Sequence, residues 1–60
     1  MREITIREMR RALADAGFHK TRTKGSHEMW CNGRKTVAVP VVSLNRTIAN
    51  RIAKENQLPI

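Results

Sequence analysis

Acids, aromatics and cysteine are what this chain has least of. Its 60 residues hold one Cys, one Trp, one Phe and no Tyr, and five acids stand against twelve Lys and Arg. A lone cysteine excludes an intrachain disulfide. In a reducing setting Cys31 reads as an inert small hydrophobe. The shortage of aromatics leaves little bulk for a core, and a chain of this length buries only about 60% of its unfolded surface. Such domains commonly gain stability from a disulfide, a metal or a partner. Cys31, His19 and His27 do not follow a zinc spacing, and Glu3, Glu8, Asp15, Glu28 and Glu55 are scattered, so neither metal nor other cofactor is expected. A partner protein is the remaining stabiliser. No apolar run approaches the roughly 18 residues of a membrane-spanning helix. The N-terminus lacks the apolar core of a signal peptide. One domain over residues 1–60, in the cytoplasm and away from membranes, is the expectation.

What the chain has in excess is positive charge, formally +7. Net charge speaks of partners rather than fold. Nucleic acid is the first candidate and an acidic protein the second.

Thr5-Ile6-Arg7-Glu8 reads as a capping box: the hydroxyl of Thr5 accepts from the amide of Glu8, and the carboxylate of Glu8 reaches back. Ile6, Met9, Ala12, Leu13 and Ala16 follow at helical spacing, with Arg7, Arg10, Arg11 and Ala14 facing away. Gly17 supplies a left-handed stop, which predicts a helix over 6–16. Residues 18–23 read as a strand, Gly25-Ser26 as a turn and 27–31 as a second strand. Asn32-Gly33 is a strong hairpin signal. Residues 36–42 form a third, β-branched strand in which Pro40 marks an edge or an end. Ser43 or Asn45 caps a second helix with Ile48, Ala49, Ile52 and Ala53 as its apolar stripe. Asn56 is placed to end it in the left-handed region, with Pro59 beyond. The result is an α+β chain of order α-β-β-β-α, a three-stranded antiparallel sheet with both helices on one face.

A two-residue loop at Asn32-Gly33 would pair Cys31 with Arg34, Met29 with Thr36 and His27 with Ala38. Trp30 would face Lys35, and Glu28 would face Val37. Opposed residues share a face. Trp30, Val37 and Val39 then meet the helices, while His27, Met29, Thr36 and Ala38 take the open face. Glu28 falls on the core side, a conflict that a G1 bulge at Gly33 would change by shifting the register one residue.

The stretch that looks like chemistry is Arg22-Thr23-Lys24-Gly25-Ser26-His27. Histidine is the side chain that most readily exchanges protons near cellular pH. RNA carries its own nucleophile, the 2′-hydroxyl. One proton-shuttling group and cations at the phosphoryl oxygens therefore suffice to cleave it without a metal. His27 is the candidate general acid or base, and Arg22, Lys24, Arg34 and Lys35 are the candidate cations. Gly25 would let backbone approach a phosphate closely, with the Ser26 hydroxyl as donor. The bland counterparts are a strand histidine without a role and a plain turn. His19 reads as a strand surface residue. Trp30 suits the core better than base stacking. Arg7, Arg10, Arg11, Arg46, Arg51 and Lys54 either track a phosphate backbone or form solvated helix faces. Two non-catalytic alternatives stand beside the enzyme: a basic RNA-binding module and an adaptor for an acidic protein.

The chain resembles the HicA family, the ribonuclease toxins of HicA–HicB toxin–antitoxin modules. The resemblance lies in a first helix closing in Leu13-Ala14-Asp15-Ala16-Gly17-Phe18, then in the Arg22–His27 stretch continuing to Glu28-Met29-Trp30. It runs on through Gly33-Arg34-Lys35, Val37-Ala38-Val39-Pro40 and the closing helix from Thr47-Ile48 to Leu58. It implies a fold like that of double-stranded-RNA-binding domains. It implies that His27 is the catalytic residue of an endoribonuclease acting on mRNA, with a HicB-like antitoxin as its inhibitor. The chain departs from the family in carrying Glu28 and Val41 where members often have histidine or another polar residue.

Overall fold

The computed structural model describes residues 3–60. Residues 1 and 2 of the expected 1–60 domain lie outside the described residues. The elements are α1 (Ile6–Asp15), β1 (His19–Lys24), β2 (His27–Cys31), β3 (Thr36–Pro40) and α2 (Arg46–Glu55). This is the α-β-β-β-α order and the small α+β fold read from the sequence pattern.

The start of α1 is the capping box. The amide of Glu8 donates to the Thr5 hydroxyl at 3.1 Å, and the Thr5 amide donates to Glu8 Oε1 at 3.3 Å. The helix ends one residue earlier than expected, with Ala16 as its cap. Gly17 follows at φ 92°. Its amide donates to the Ala14 carbonyl at 3.1 Å, and that of Phe18 to Leu13 at 2.9 Å. These two bonds satisfy carbonyls that the helix end would otherwise leave bare. Phe18 therefore belongs to the helix stop, and β1 begins only at His19.

Asn45, not Ser43, caps α2, its side chain accepting from the Ile48 amide at 2.9 Å. The far end corrects the expectation for Asn56, whose φ is −109°. The left-handed residue is Gln57 at φ 52°. The Leu58 amide then closes onto the Ala53 carbonyl at 2.9 Å, which turns the Leu58 side chain into the core. Packing of Leu58 has placed a non-glycine residue where glycine is the usual choice.

The sheet is antiparallel in the order β1-β2-β3. The β2–β3 pairing differs from the two-residue-loop expectation. Cys31 pairs with Thr36, Met29 with Ala38 and His27 with Pro40. The reason is the side chain of Asn32, whose Oδ1 accepts from the amides of Arg34 and Lys35 at 2.9 and 2.8 Å. The Asn32 amide meanwhile donates to the Lys35 carbonyl at 3.2 Å. Residues 32–35 thus form a longer loop, stabilised by an asparagine that bonds the backbone ahead of it. The register moves by two, so each side chain keeps its expected face. β3 also stops at Pro40 rather than Val42.

One face of the sheet is buried and the other open. Met9, Leu13 and Val39 are fully buried, and Trp30, Val37, Ala49 and Ile52 join them in a single core. Both helices contribute to that core, so both lie on the same face. Trp30 is a core residue.

The core-side position of Glu28 is real, and it is resolved by partners. Glu28 is only 4% exposed. Arg10 grips it with two nitrogens, Nη2 at 2.6 Å and Nε at 3.1 and 3.2 Å from the two carboxylate oxygens. The indole N–H of Trp30 donates to Oε1 at 3.2 Å. Arg10 therefore does not face away as a free phosphate-binding cation. Hydrogen bonding from Arg10 holds the Glu28 carboxyl below its ordinary range despite opposing burial, with the Trp30 bond adding to the effect.

Candidate functional site

His27 opens β2, immediately after the two-residue turn Gly25-Ser26 that joins it to β1. Lys24 is its partner across the turn. Gly25 sits at φ 60° and Ser26 keeps a negative φ. That combination, with glycine first, is the hairpin turn whose twist matches the flanking strands. A β-carbon at Gly25 would meet nothing within 4 Å. The turn is thus open to an approaching ligand, and only the backbone angle demands glycine.

Paired residues share a face, and the registers build the open face row by row. The first row is Lys24–His27–Pro40 and the second Arg22–Met29–Ala38. The third is His19–Cys31–Thr36. An irregularity between Lys20 and Arg22 leaves Thr21 out of the pairing; the Thr21 hydroxyl donates to the Met29 carbonyl at 3.2 Å. This bulge turns His19, rather than Lys20, onto the open face. His27 is exposed, as are Arg22, Lys24, Gly25 and Ser26. With a rise of about 3.4 Å per residue, Arg22 stands roughly 7 Å along the sheet from the His27 row. Both cations are within side-chain reach of a phosphate lying over His27.

Arg34 and Lys35 are placed differently. They occupy the β2–β3 loop beyond Cys31, at the other end of β2, about 14 Å from His27 along the strand. They do not share one phosphate with His27. They extend the positive surface in the direction of β2 instead.

No acid among the described residues lies on these three rows. Glu28, next to His27, points through the sheet, Glu3 precedes α1, and Glu8, Asp15 and Glu55 belong to the helices. Arg22 and Lys24 thus face solvent without a carboxylate on their own face. Two shallow cavities, about 220 and 240 Å³, lie elsewhere, one against Arg11, Ala12 and Ile60, the other beside Phe18, Lys35 and Gln57. His27 and its neighbours Arg22, Lys24, Gly25 and Ser26 are all exposed, so the histidine sits on an open platform. Among the described residues no three His, Cys, Asp or Glu side chains gather as a metal site. None of the described helices is long and apolar enough to cross a membrane.

Sequence reasoning missed the Arg10–Glu28–Trp30 group, although the placement of an acid on the core side was its signal. Fold and platform together define a small basic α+β domain that exposes a histidine and two cations on one face of its sheet. The family model of the HicA toxin of bacterial toxin–antitoxin systems matches residues 6–58, and the chain belongs to that family. It is accordingly a toxin of a toxin–antitoxin system, and that membership implies a cognate antitoxin. No curated protein and no solved structure matches the chain.

Proposed function

We propose that this toxin is an endoribonuclease that cleaves mRNA in the cytoplasm, with His27 as its general acid and base, and that a HicB-like antitoxin neutralises it. The observation that carries the reading is the shared open face of His27, Arg22 and Lys24, free of carboxylates among the described residues.

In this mechanism the substrate supplies the nucleophile. His27 takes the proton from a ribose 2′-hydroxyl as its oxygen attacks the adjacent phosphorus. The bond from phosphorus to the 5′-oxygen breaks, and the imidazolium returns the proton to that leaving oxygen. A cyclic phosphate and a 5′-hydroxyl are the products, and protons balance. Lys24 and Arg22 stabilise the charge that develops on the phosphoryl oxygens. The open Gly25-Ser26 turn admits the phosphate backbone. Arg34 and Lys35 hold the strand further along and lend affinity rather than chemistry. No step requires a metal.

The test is expression of the chain and its His27→Ala variant in a bacterial host, following growth and mRNA integrity together. Growth arrest with loss of mRNA only when His27 is present supports the mechanism. Equal behaviour of two folded proteins would leave a basic RNA-binding module without catalysis. His27 is exposed, so its removal should leave the thermal unfolding curve unchanged.

A further inference from the structure

The two edges of the sheet are built in opposite ways. β1 carries Lys20, Arg22 and Lys24 and a bulge at Thr21. Charge and bulges are the usual devices that keep a free edge from pairing with another chain. β3 has neither. It lies within residues 36–45, the longest run of the chain without a charged side chain. Beyond it Val42 is 81% exposed.

The hydrogen-bond phase of β3 follows from its two ends. The Val41 amide donates to the Ser26 carbonyl at 2.9 Å, and the Asn32 amide donates to the Lys35 carbonyl at 3.2 Å. Antiparallel ladders alternate, so Val37, Val39 and Val41 bond to β2. The backbone N–H and C=O groups of Thr36 and Ala38 then point to the free edge, as does the carbonyl of Pro40. Pro40 lacks an amide where none is needed for the ladder.

We propose that this edge receives a β-strand from the toxin's cognate antitoxin, and that the docking strand is acidic on the side of the open face. Two observations select this occupant. Among the described residues every Lys and Arg lies on β1, the helices or the 32–35 loop, around an uncharged edge, and this excess of positive charge favours an acidic partner over a second copy. The edge is also continuous with the candidate site, because His27 is paired with Pro40 and Met29 with Ala38. Strands lie about 4.8 Å apart, so a strand added beyond β3 stands roughly 10 Å from His27. Ala38 and Pro40 are short and leave that path low. Acidic side chains from the added strand extend across them towards His27 and Lys24. Main-chain pairing supplies the register and charge supplies the orientation.

The inference rests on family membership and not on His27 being catalytic, and its test reads binding rather than cleavage. The full chain and its Ala38→Pro variant are titrated with purified cognate antitoxin by calorimetry. Amide hydrogen exchange of the unsubstituted chain is followed alone, with antitoxin and with a single-stranded RNA oligonucleotide. The expected result is protection of the Thr36 and Ala38 amides on antitoxin binding, with affinity reduced roughly tenfold in Ala38→Pro. If those amides exchange in the complex as they do in the free chain, the proposal is overturned, whether or not Ala38→Pro folds. Protection that rises with the concentration of the free chain assigns the edge to a second copy and overturns it too. Protection by the oligonucleotide but not by antitoxin does the same.

Discussion

Arg10 on α1 and Glu28 on β2, separated by 18 positions in the chain, are joined by three hydrogen bonds, the shortest 2.6 Å. Their pairing ties the first helix to the central strand on the face behind His27. Glu28 is buried while the Arg10 side chain remains 45% exposed, so the guanidinium satisfies the carboxylate without being fully desolvated. The third partner, the Trp30 indole, uses the same carboxylate as its acceptor.

This pair makes stability depend on acid. The folded-state pKa of Glu28 is lowered, chiefly by hydrogen bonding from Arg10. The folded chain therefore favours the carboxylate. Its contribution is complete above the ordinary glutamate range near about 4.3 and is lost as pH falls through the lowered folded value. Urea unfolding at several pH values from neutral downward should show the unmodified chain losing its advantage over Glu28→Gln in acid. A constant difference at all pH values would contradict the assignment. Glu28→Ala should cost about 1–3 kcal/mol at neutral pH, because it leaves the buried Trp30 N–H without an acceptor.

Gln57 occupies the left-handed region at φ 52°, where a side chain costs roughly 1–2 kcal/mol. Glycine removes that strain, although the unfolded chain gains freedom in return. Gln57→Gly should raise Tm by a few degrees in a thermal scan. A lower Tm would show that the glutamine side chain contributes more than its backbone costs.

The two caps open to the sequence have different consequences. Asn45→Ala removes the acceptor of the Ile48 amide and should cost about 1 kcal/mol in denaturant unfolding. Ser43→Ala should leave stability unchanged, since Ser43 is exposed and lies outside α2.

Salt dependence tests the cations. If Arg22 and Lys24 each neutralise a phosphate, their alanine variants should each flatten log affinity for single-stranded RNA against log salt by about 0.7. Arg11 lies on the helical side, 3.8 Å from Asp15, and Arg11→Ala should keep the parent slope. Equal slopes for all three variants would remove the open face as the RNA track.

Local patterns carried much of this fold. Capping box, glycine stop and apolar spacing in α1 are decided within a few residues, and they are legible for that reason. The Gly25-Ser26 turn is equally local, and it places Lys24 beside His27. The Asn32-Gly33 turn was harder, because Asn32 bonds the backbone through its side chain and lengthens the loop. The faces survived that error only because the shift was even.

Three features were settled by contacts between distant residues. Burial of Leu58 selects Gln57 rather than Asn56 as the left-handed residue. The bulge at Thr21 selects His19 rather than Lys20 for the open face. The burial of Glu28 recruits Arg10 from a helix face that, by periodicity alone, belongs to solvent. The sequence by itself determined the element order, the charge and the residues flanking His27, because propensity, capping and turn chemistry act over short spans. Tertiary structure decided which cations remain available and which edge stays open, because a buried carboxylate must find its partner wherever the fold brings one near.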